Sequence, residues 1–339
     1  MSDITNVYLI TGFLGSGKTT FLNRIIQRFP KDKKLMILMN EFGEIGIDGT
    51  LIESEDLQMM EISKGSIFCV CVKTDFIKGL YEIAQKNPPD VLIIESTGVA
   101  NPSDLKRDLK LPLFKNRFQF KEQFCVIDAR NFLDAYEVYT SLEKQIASST
   151  LFLINKIDQA NRETIDQIEE VVRGLHPDPE FYETTYADIP VERFFPETGP
   201  AQPAAAATTE QTPALTPEEL EQYLEDMLET ITSEMTPPDR LMSAAYRWTG
   251  DDLAQIKEMA GHLPAAIIRA KGFLANRGST SLFSYVMGDW NLEACEIPTD
   301  RIQHLNIVVF IGPPESIAAL EGALNSGNWS QVSTYQPPA

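Results

Sequence analysis

The chain of 339 residues carries 29 Lys and Arg against 49 Asp and Glu, a formal net charge of −20, with 43% hydrophobic and 23% charged residues. That composition excludes a wholly disordered chain and a coiled coil, and the acidic excess disfavours non-specific binding of nucleic acid or an anionic membrane, which needs positive patches. The length suits two domains, there is no secretory signal and no apolar run long enough to span a bilayer, and four cysteines (Cys69, Cys71, Cys125, Cys295) make no disulfide framework, so a soluble, reduced, cytoplasmic protein is expected.

In chain order, VYLI at 7–10 reads as a short buried strand, followed by a glycine-rich turn and a helix from Lys18 to about Phe29. LMILM (35–39), VLII (91–94), FCVI (124–127) and LFLI (151–154) are further apolar runs of strand length. All-apolar strands alternating with helices predict an α/β domain with a mainly parallel sheet covered on both faces. At 196–216 the composition changes to PETGPAQPAAAATTEQTPALT, which predicts a flexible linker because it offers too little apolar surface to offset ordering. Thr216 then suits an N-cap, Pro217 the first helical position and Glu219 a capping box. Leu220, Tyr223, Leu224, Met227, Leu228 and Ile231 follow at helical spacing. Strand-like runs at 241–248, 265–274, 281–287 and 304–311, with helical patterns at 251–260 and 315–325, predict a smaller α+β domain built on a mainly antiparallel sheet. The expected organisation is a P-loop domain over 1–195, a linker over 196–216 and a C-terminal domain over 217–339.

Gly12-Phe13-Leu14-Gly15-Ser16-Gly17-Lys18-Thr19 fits G-x-x-x-x-G-K-[ST], with a strand before it and a helix after it. The glycines let successive N–H groups turn toward one anion, and the helix N-terminus adds its positive end. Gly12, Gly15, Ser16, Gly17, Lys18, Thr19 and Thr20 are the expected phosphate-binding set. Lys18 would reach the β- and γ-phosphates, and the Thr19 hydroxyl would hold Mg²⁺. Glu95, ending the run VLIIE, is a second Mg²⁺ candidate, and Gly98 would sense the γ-phosphate through its N–H. Asn155-Lys156-Ile157-Asp158 follows another apolar run. The Asp158 carboxylate can accept from guanine N1–H and N2–H₂, whereas adenine would leave it unpaired. Asn155 would brace the loop and the far edge of the base, and the Lys156 stem would lie over the ring.

Taken with NEFGEIGID (40–48), ESTGVANP (95–102) and IIRAKGFL (267–274), these motifs resemble the CobW family of P-loop GTPases over nearly the whole chain. The resemblance implies GTP-dependent handling of zinc or cobalt for a client metalloprotein or cobalamin-related enzyme, with GTP as substrate and Mg²⁺ as cofactor. The metal motif of that family, G-C-x-C-C, is degenerate here: the segment reads Gly65-Ser66-Ile67-Phe68-Cys69, then Val70-Cys71. Ser66 and Phe68 cannot replace two thiolates, and Cys71 is an additional one. Two readings stand. Cys69 and Cys71 with Glu41 could form a three-ligand Zn²⁺ or Co²⁺ site with water as the fourth ligand, or they are small buried hydrophobes. Cys125 and Cys295 read as core. Glu41, Glu44 and Asp48 lie where a switch loop would sit, and are either water- or Mg²⁺-positioning groups or a solvated acidic loop. Arg269 and Lys271 read as a polar sheet face.

The expected function is therefore a slow GTPase acting as a metal or metal-cofactor chaperone, with a partner or a second protomer completing the site. One alternative is a GTP-gated protein switch, such as a corrinoid-enzyme chaperone without metal cargo. A small-molecule P-loop kinase is the other, and it would show an arginine-bearing lid and no N-K-x-D.

Overall fold

A computed structural model of the chain describes residues 4–40, 58–62, 70–86, 88–96, 102–196, 215–231, 241–276, 279–295, 297–302, 304–324 and 327–335. These fall into two units. The first contains β1 (Thr5–Thr11), α1 (Lys18–Arg28), β2 (Leu35–Asn40), β3 (Gln58–Ile62), α2 (Val70–Lys86), β4 (Val91–Glu95), α3 (Ser103–Asp108), β5 (Phe118–Asp128), α4 (Phe132–Val138), α5 (Thr140–Ser148), β6 (Leu151–Asn155), α6 (Arg162–Leu175), β7 (Glu180–Thr184) and α7 (Pro217–Ile231).

Its seven strands form one sheet in the order β3-β2-β4-β1-β5-β6-β7, parallel at every junction. β1 lies between β4 and β5, so the chain winds away from β1 in both directions. That reversal opens a crevice at the C-terminal ends of the strands. β4 and β6 are buried along their whole length, which is why they read as unbroken apolar runs. β3 and β7 were not expected from the sequence. They are the outermost strands, QMMEI and EFYET, and β7 is half-exposed, so they lack the all-apolar signature.

α7 starts as expected. The Thr216 N–H donates to Glu219 Oε2 at 2.8 Å, and the Glu219 N–H donates to Thr216 Oγ1 at 3.2 Å, a complete capping box. Its packing differs from expectation. The sequence reading put α7 at the head of the C-terminal domain, but Leu224 and Met227 are buried in the first unit with Phe76, Ile77 and Leu80 of α2. The Tyr81 hydroxyl accepts from the Leu215 N–H at 2.6 Å, just ahead of the helix. Composition marks where the 196–216 segment lies, and says nothing of which unit the next helix packs on.

Cys125 lies on β5 and is buried, as expected. Burial pushes its thiol up to about 12, against smaller lowering contributions from Ser149 and Lys18. From an ordinary value near 9.0, that cuts the thiolate fraction at pH 8 about a thousandfold. Cys125 in the folded protein should therefore resist iodoacetamide at pH 8 and alkylate readily in denaturant, as peptide mass analysis would show. Equal labelling in both states would contradict this burial.

The second unit contains β8 (Met242–Trp248), α8 (Ala254–Gly261), β9 (Arg269–Asn276), β10 (Ser279–Val286), β11 (Asp289–Ala294), β12 (Ile307–Gly312), α9 (Pro314–Ala318), α10 (Leu320–Ala323) and β13 (Trp329–Tyr335). Six strands form an antiparallel sheet in the order β11-β10-β9-β12-β8-β13. Tyr246, Trp248, Phe283, Tyr285 and Phe310 pack with Ile256 and Met259 of α8 and with Ile317 and Leu320. β11 and β13, again the outer strands and largely exposed, were not expected from their sequences. Arg269 and Lys271 alternate on β9 with buried Ala270 and Gly272, a polar sheet face as expected. Cys295, expected in the core, is only half-buried, because it directly follows the exposed edge strand β11.

Candidate functional site

Parallel register brings the strand ends together. Ile10 on β1 faces Glu95 on β4, Asp128 on β5 faces Asn155 on β6, and Asn155 faces Thr184 on β7. The C-terminal ends of β1, β4, β5, β6 and β7 thus share one edge of the sheet.

Between β1 and α1, Gly12, Gly15 and Gly17 have φ of 139°, 77° and 109°, the left-handed side of conformational space. Two of them are also sterically confined. A Cβ at Gly12 would run into the Val126 carbonyl oxygen, and one at Gly17 into the side-chain amide of Asn155. Gly17 is the N-cap of α1 and brings no side-chain cap, and the first turn holds no acid. The leading N–H groups of α1 thus have no capping side chain from Gly17, the arrangement that suits an anion at a helix N-terminus. Lys18 is buried and donates to the Phe13 carbonyl at 3.1 Å, inside the loop's own curve. The buried Ser16 hydroxyl has no protein partner among the described residues. Thr20, the last of the expected set, is exposed.

Glu95 is buried at the end of β4, and its Oε1 accepts from the Thr19 hydroxyl at 3.1 Å. Adjacent carboxylate and hydroxyl oxygens beside a phosphate-type loop are a hard donor set that suits Mg²⁺ rather than a thiophilic metal.

Asn155 is buried at the end of β6. Its Nδ2 donates to the Ser16 carbonyl at 2.8 Å and its Oδ1 accepts from the Ala187 N–H at 2.9 Å. The expected brace is thus present, and it also ties in the loop after β7. Lys156 follows at φ 60°, a left-handed conformation that costs a non-glycine residue about 1–2 kcal/mol. Asp158 is exposed in the short 3₁₀ segment Ile157–Gln159. In the loop after β7, Tyr186 and Ala187 are also left-handed at φ 52° and 51°. Ala187 is fully buried and Tyr186 is 73% exposed.

Sequence reasoning missed Asp128. It is 5% exposed at the end of β5, and its Oδ2 sits 2.6 Å from Lys156 Nζ. Its Oδ1 accepts from the Arg130 N–H at 3.0 Å, and Oδ2 also accepts from Asn131 Nδ2 at 3.2 Å. The signal was available, because an acid ending the apolar run FCVID is the pattern that singled out Glu95.

Gly98, Glu41, Glu44, Asp48 and Cys69 lie outside the described residues. Cys71 is the second residue of α2. Among the described residues no three His, Cys, Asp or Glu gather as a metal cluster. His176 packs edge-on against Phe152, and His262 lies exposed against the Glu258 carbonyl. No described helix is long and apolar enough to cross a membrane.

Residues 6–183 match the family model described as CobW/HypB/UreG, nucleotide-binding domain. The chain is 33% identical over 162 residues to the zinc chaperone YeiR of Escherichia coli, covering 48% of this chain and 49% of that protein. It is 26% identical over 203 residues to the zinc chaperone CobW of Pseudomonas aeruginosa, covering 50% and 54%. It is 31% identical over 196 residues to the zinc-regulated GTPase metalloprotein activator 1 of Schizosaccharomyces pombe, covering 55% and 47%. The chain thus spans about half the length of the curated relatives it matches.

Proposed function

We propose, from the premise that this chain belongs to the CobW/HypB/UreG family, that it binds and slowly hydrolyses GTP and uses the cycle to serve a client metalloprotein or cobalamin-related enzyme. The observation that carries this reading is the double brace of Asn155, which fastens the loop before Lys18 to the loops bearing Asp158 and Ala187. A nucleotide has a phosphate end and a base end, and Asn155 fixes the distance between the two places that would receive them.

In this reading the backbone N–H groups of Gly15 to Thr19 receive the phosphates. Lys18 exchanges the Phe13 carbonyl for a phosphate oxygen, and Asp158 selects guanine. Mg²⁺, held by Thr19 and Glu95, would neutralise charge on the β- and γ-phosphates. Gly98 would respond to the γ-phosphate. An activating group for hydrolysis would come from a partner or a second protomer, and turnover by the chain alone is expected to be slow.

Several curated relatives are named as zinc chaperones, which supports zinc, or the similar Co²⁺, as cargo. The ligands would be Cys69, Cys71 and Glu41. A second reading, a GTP-gated switch without metal cargo, is favoured by one observation: the segment Gly-Ser-Ile-Phe-Cys at 65–69 retains a single cysteine of the three in the G-C-x-C-C pattern.

Two titrations of the reduced chain separate these readings. Calorimetry in Mg²⁺ buffer should show GTP binding in the micromolar range or tighter, with free phosphate released over time. Competition with a zinc chelator should then show that Cys69→Ser with Cys71→Ser weakens Zn²⁺ binding at least about tenfold, the effect of losing thiolate ligands. Equal zinc affinity of the variant and the unmodified chain would leave only the switch. An absence of heat with any guanine nucleotide would overturn both.

A further inference from the structure

We infer that Asp128 is a positioning residue for the base-binding loop: it clamps the Lys156 ammonium so that the lysine stem is held as a fixed plate beside the base. The inference rests on the GTP-binding reading above and adds to it a residue that lies outside the three motifs.

The geometry is specific. Asp128 and Asn155 are in register at the ends of adjacent parallel strands, β5 and β6. Lys156, one residue past β6, turns its ammonium back across to β5 and meets Asp128 Oδ2 at 2.6 Å. The lysine side chain is 26% exposed and the aspartate 5%, so this is not a solvated surface pair. The carboxylate is built in on its other sides by the Arg130 N–H and by Asn131 Nδ2, which fix its plane. The Ala129 N–H donates to the Asn155 carbonyl at 2.9 Å, joining the same two strand ends through the backbone.

A free lysine stem has four rotatable bonds and sweeps a wide volume, so it makes a poor face for a planar ring. Anchoring the ammonium at a buried carboxylate removes that freedom before the ligand arrives. The cost of ordering the stem then does not fall on binding. The clamp also holds Lys156 in its left-handed conformation, from which the 3₁₀ turn carrying Asp158 begins. Asp128 is too deeply buried to read the base edge itself. Its influence passes through Lys156, and it should be indifferent to which purine is bound.

The test uses the full chain and four forms: unmodified, Asp128→Asn, Lys156→Met, and the double variant. Asp128→Asn keeps the shape and removes the charge. It should weaken GTP and inosine triphosphate by the same factor, about tenfold, consistent with the loss of one charge-assisted hydrogen bond, with the rise in KM for GTP exceeding any fall in kcat. The double variant should bind no more weakly than Asp128→Asn, since charge and countercharge leave together. A nucleotide-free readout stands apart from the GTP reading: reductive methylation of Lys156, followed by peptide mass, should run about tenfold faster in Asp128→Asn. Unchanged methylation, additive losses in the double variant, or a loss confined to GTP would each overturn the clamp. Faster methylation with no GTP binding by the unmodified chain would instead mean that the clamp exists and the GTP reading fails.

Discussion

Gly17→Ala should abolish tight GTP binding, with a loss of at least about a hundredfold, while the parallel sheet stays folded. Two independent constraints meet at this residue. Its φ of 109° is one that L side chains rarely adopt, and an added Cβ would strike the side-chain amide of Asn155. Relief by backbone rotation moves the first turn of α1 and with it Lys18 and Thr19. Relief by displacing Asn155 breaks its bonds to the Ser16 carbonyl and the Ala187 N–H, which releases the base loops from the phosphate loop. Either route misplaces groups that must hold one ligand at two ends, and small misplacements are costly in such sites. The matched control is Gly174→Ala in α6, where a Cβ meets nothing within 4 Å and φ is not positive. That change should raise stability by about 0.4–1 kcal/mol through the unfolded chain and leave GTP binding untouched. Titrating both variants with GTP and melting both would check the pair. Retained affinity in Gly17→Ala would mean that the loop can shift without consequence, against the geometry of Asn155.

Legibility in the sequence followed burial. β1, β2, β4 and β6, and the C-terminal half of β5, are buried on both faces and were visible as apolar runs, whereas β3, β7, β11 and β13 sit at sheet edges and were not. The N-terminal half of β5 alternates Phe118 and Phe120 with polar residues, so only its fully buried half was read. Local chemistry was legible where its partners are close in sequence, as in the Thr216–Glu219 capping box and the glycine loop. Whatever depends on tertiary placement was not. The seating of α7 on α2 needs the shape of a surface, and the Asp128–Lys156 pair joins residues 28 positions apart. Asn155 shows both sides of this. Its motif announced a loop brace, but its second partner, the Ala187 N–H, follows an outer strand that the sequence did not reveal.

Asp158→Asn should reverse base preference rather than simply weaken binding. In the GTP-binding reading, the carboxylate of Asp158 would accept from two donors of guanine, N1–H and the C2 amino group. An asparagine in its place presents one acceptor and one donor, which conflicts with that amino group and matches the C2 carbonyl of xanthine. GTP affinity is therefore expected to fall on the order of a hundredfold and xanthosine triphosphate to become the better ligand. The effect should stop short of the largest known for buried recognition groups, because Asp158 is exposed and a stranded polar group there can return to water. This pattern separates the base end of the site from its other parts. Gly17→Ala should lose every triphosphate whatever its base, and Asp128→Asn should weaken purines evenly, so Asp158→Asn alone changes the ranking. Calorimetric titration with both nucleotides measures it, and an equal loss for guanine and xanthine would remove Asp158 from base recognition.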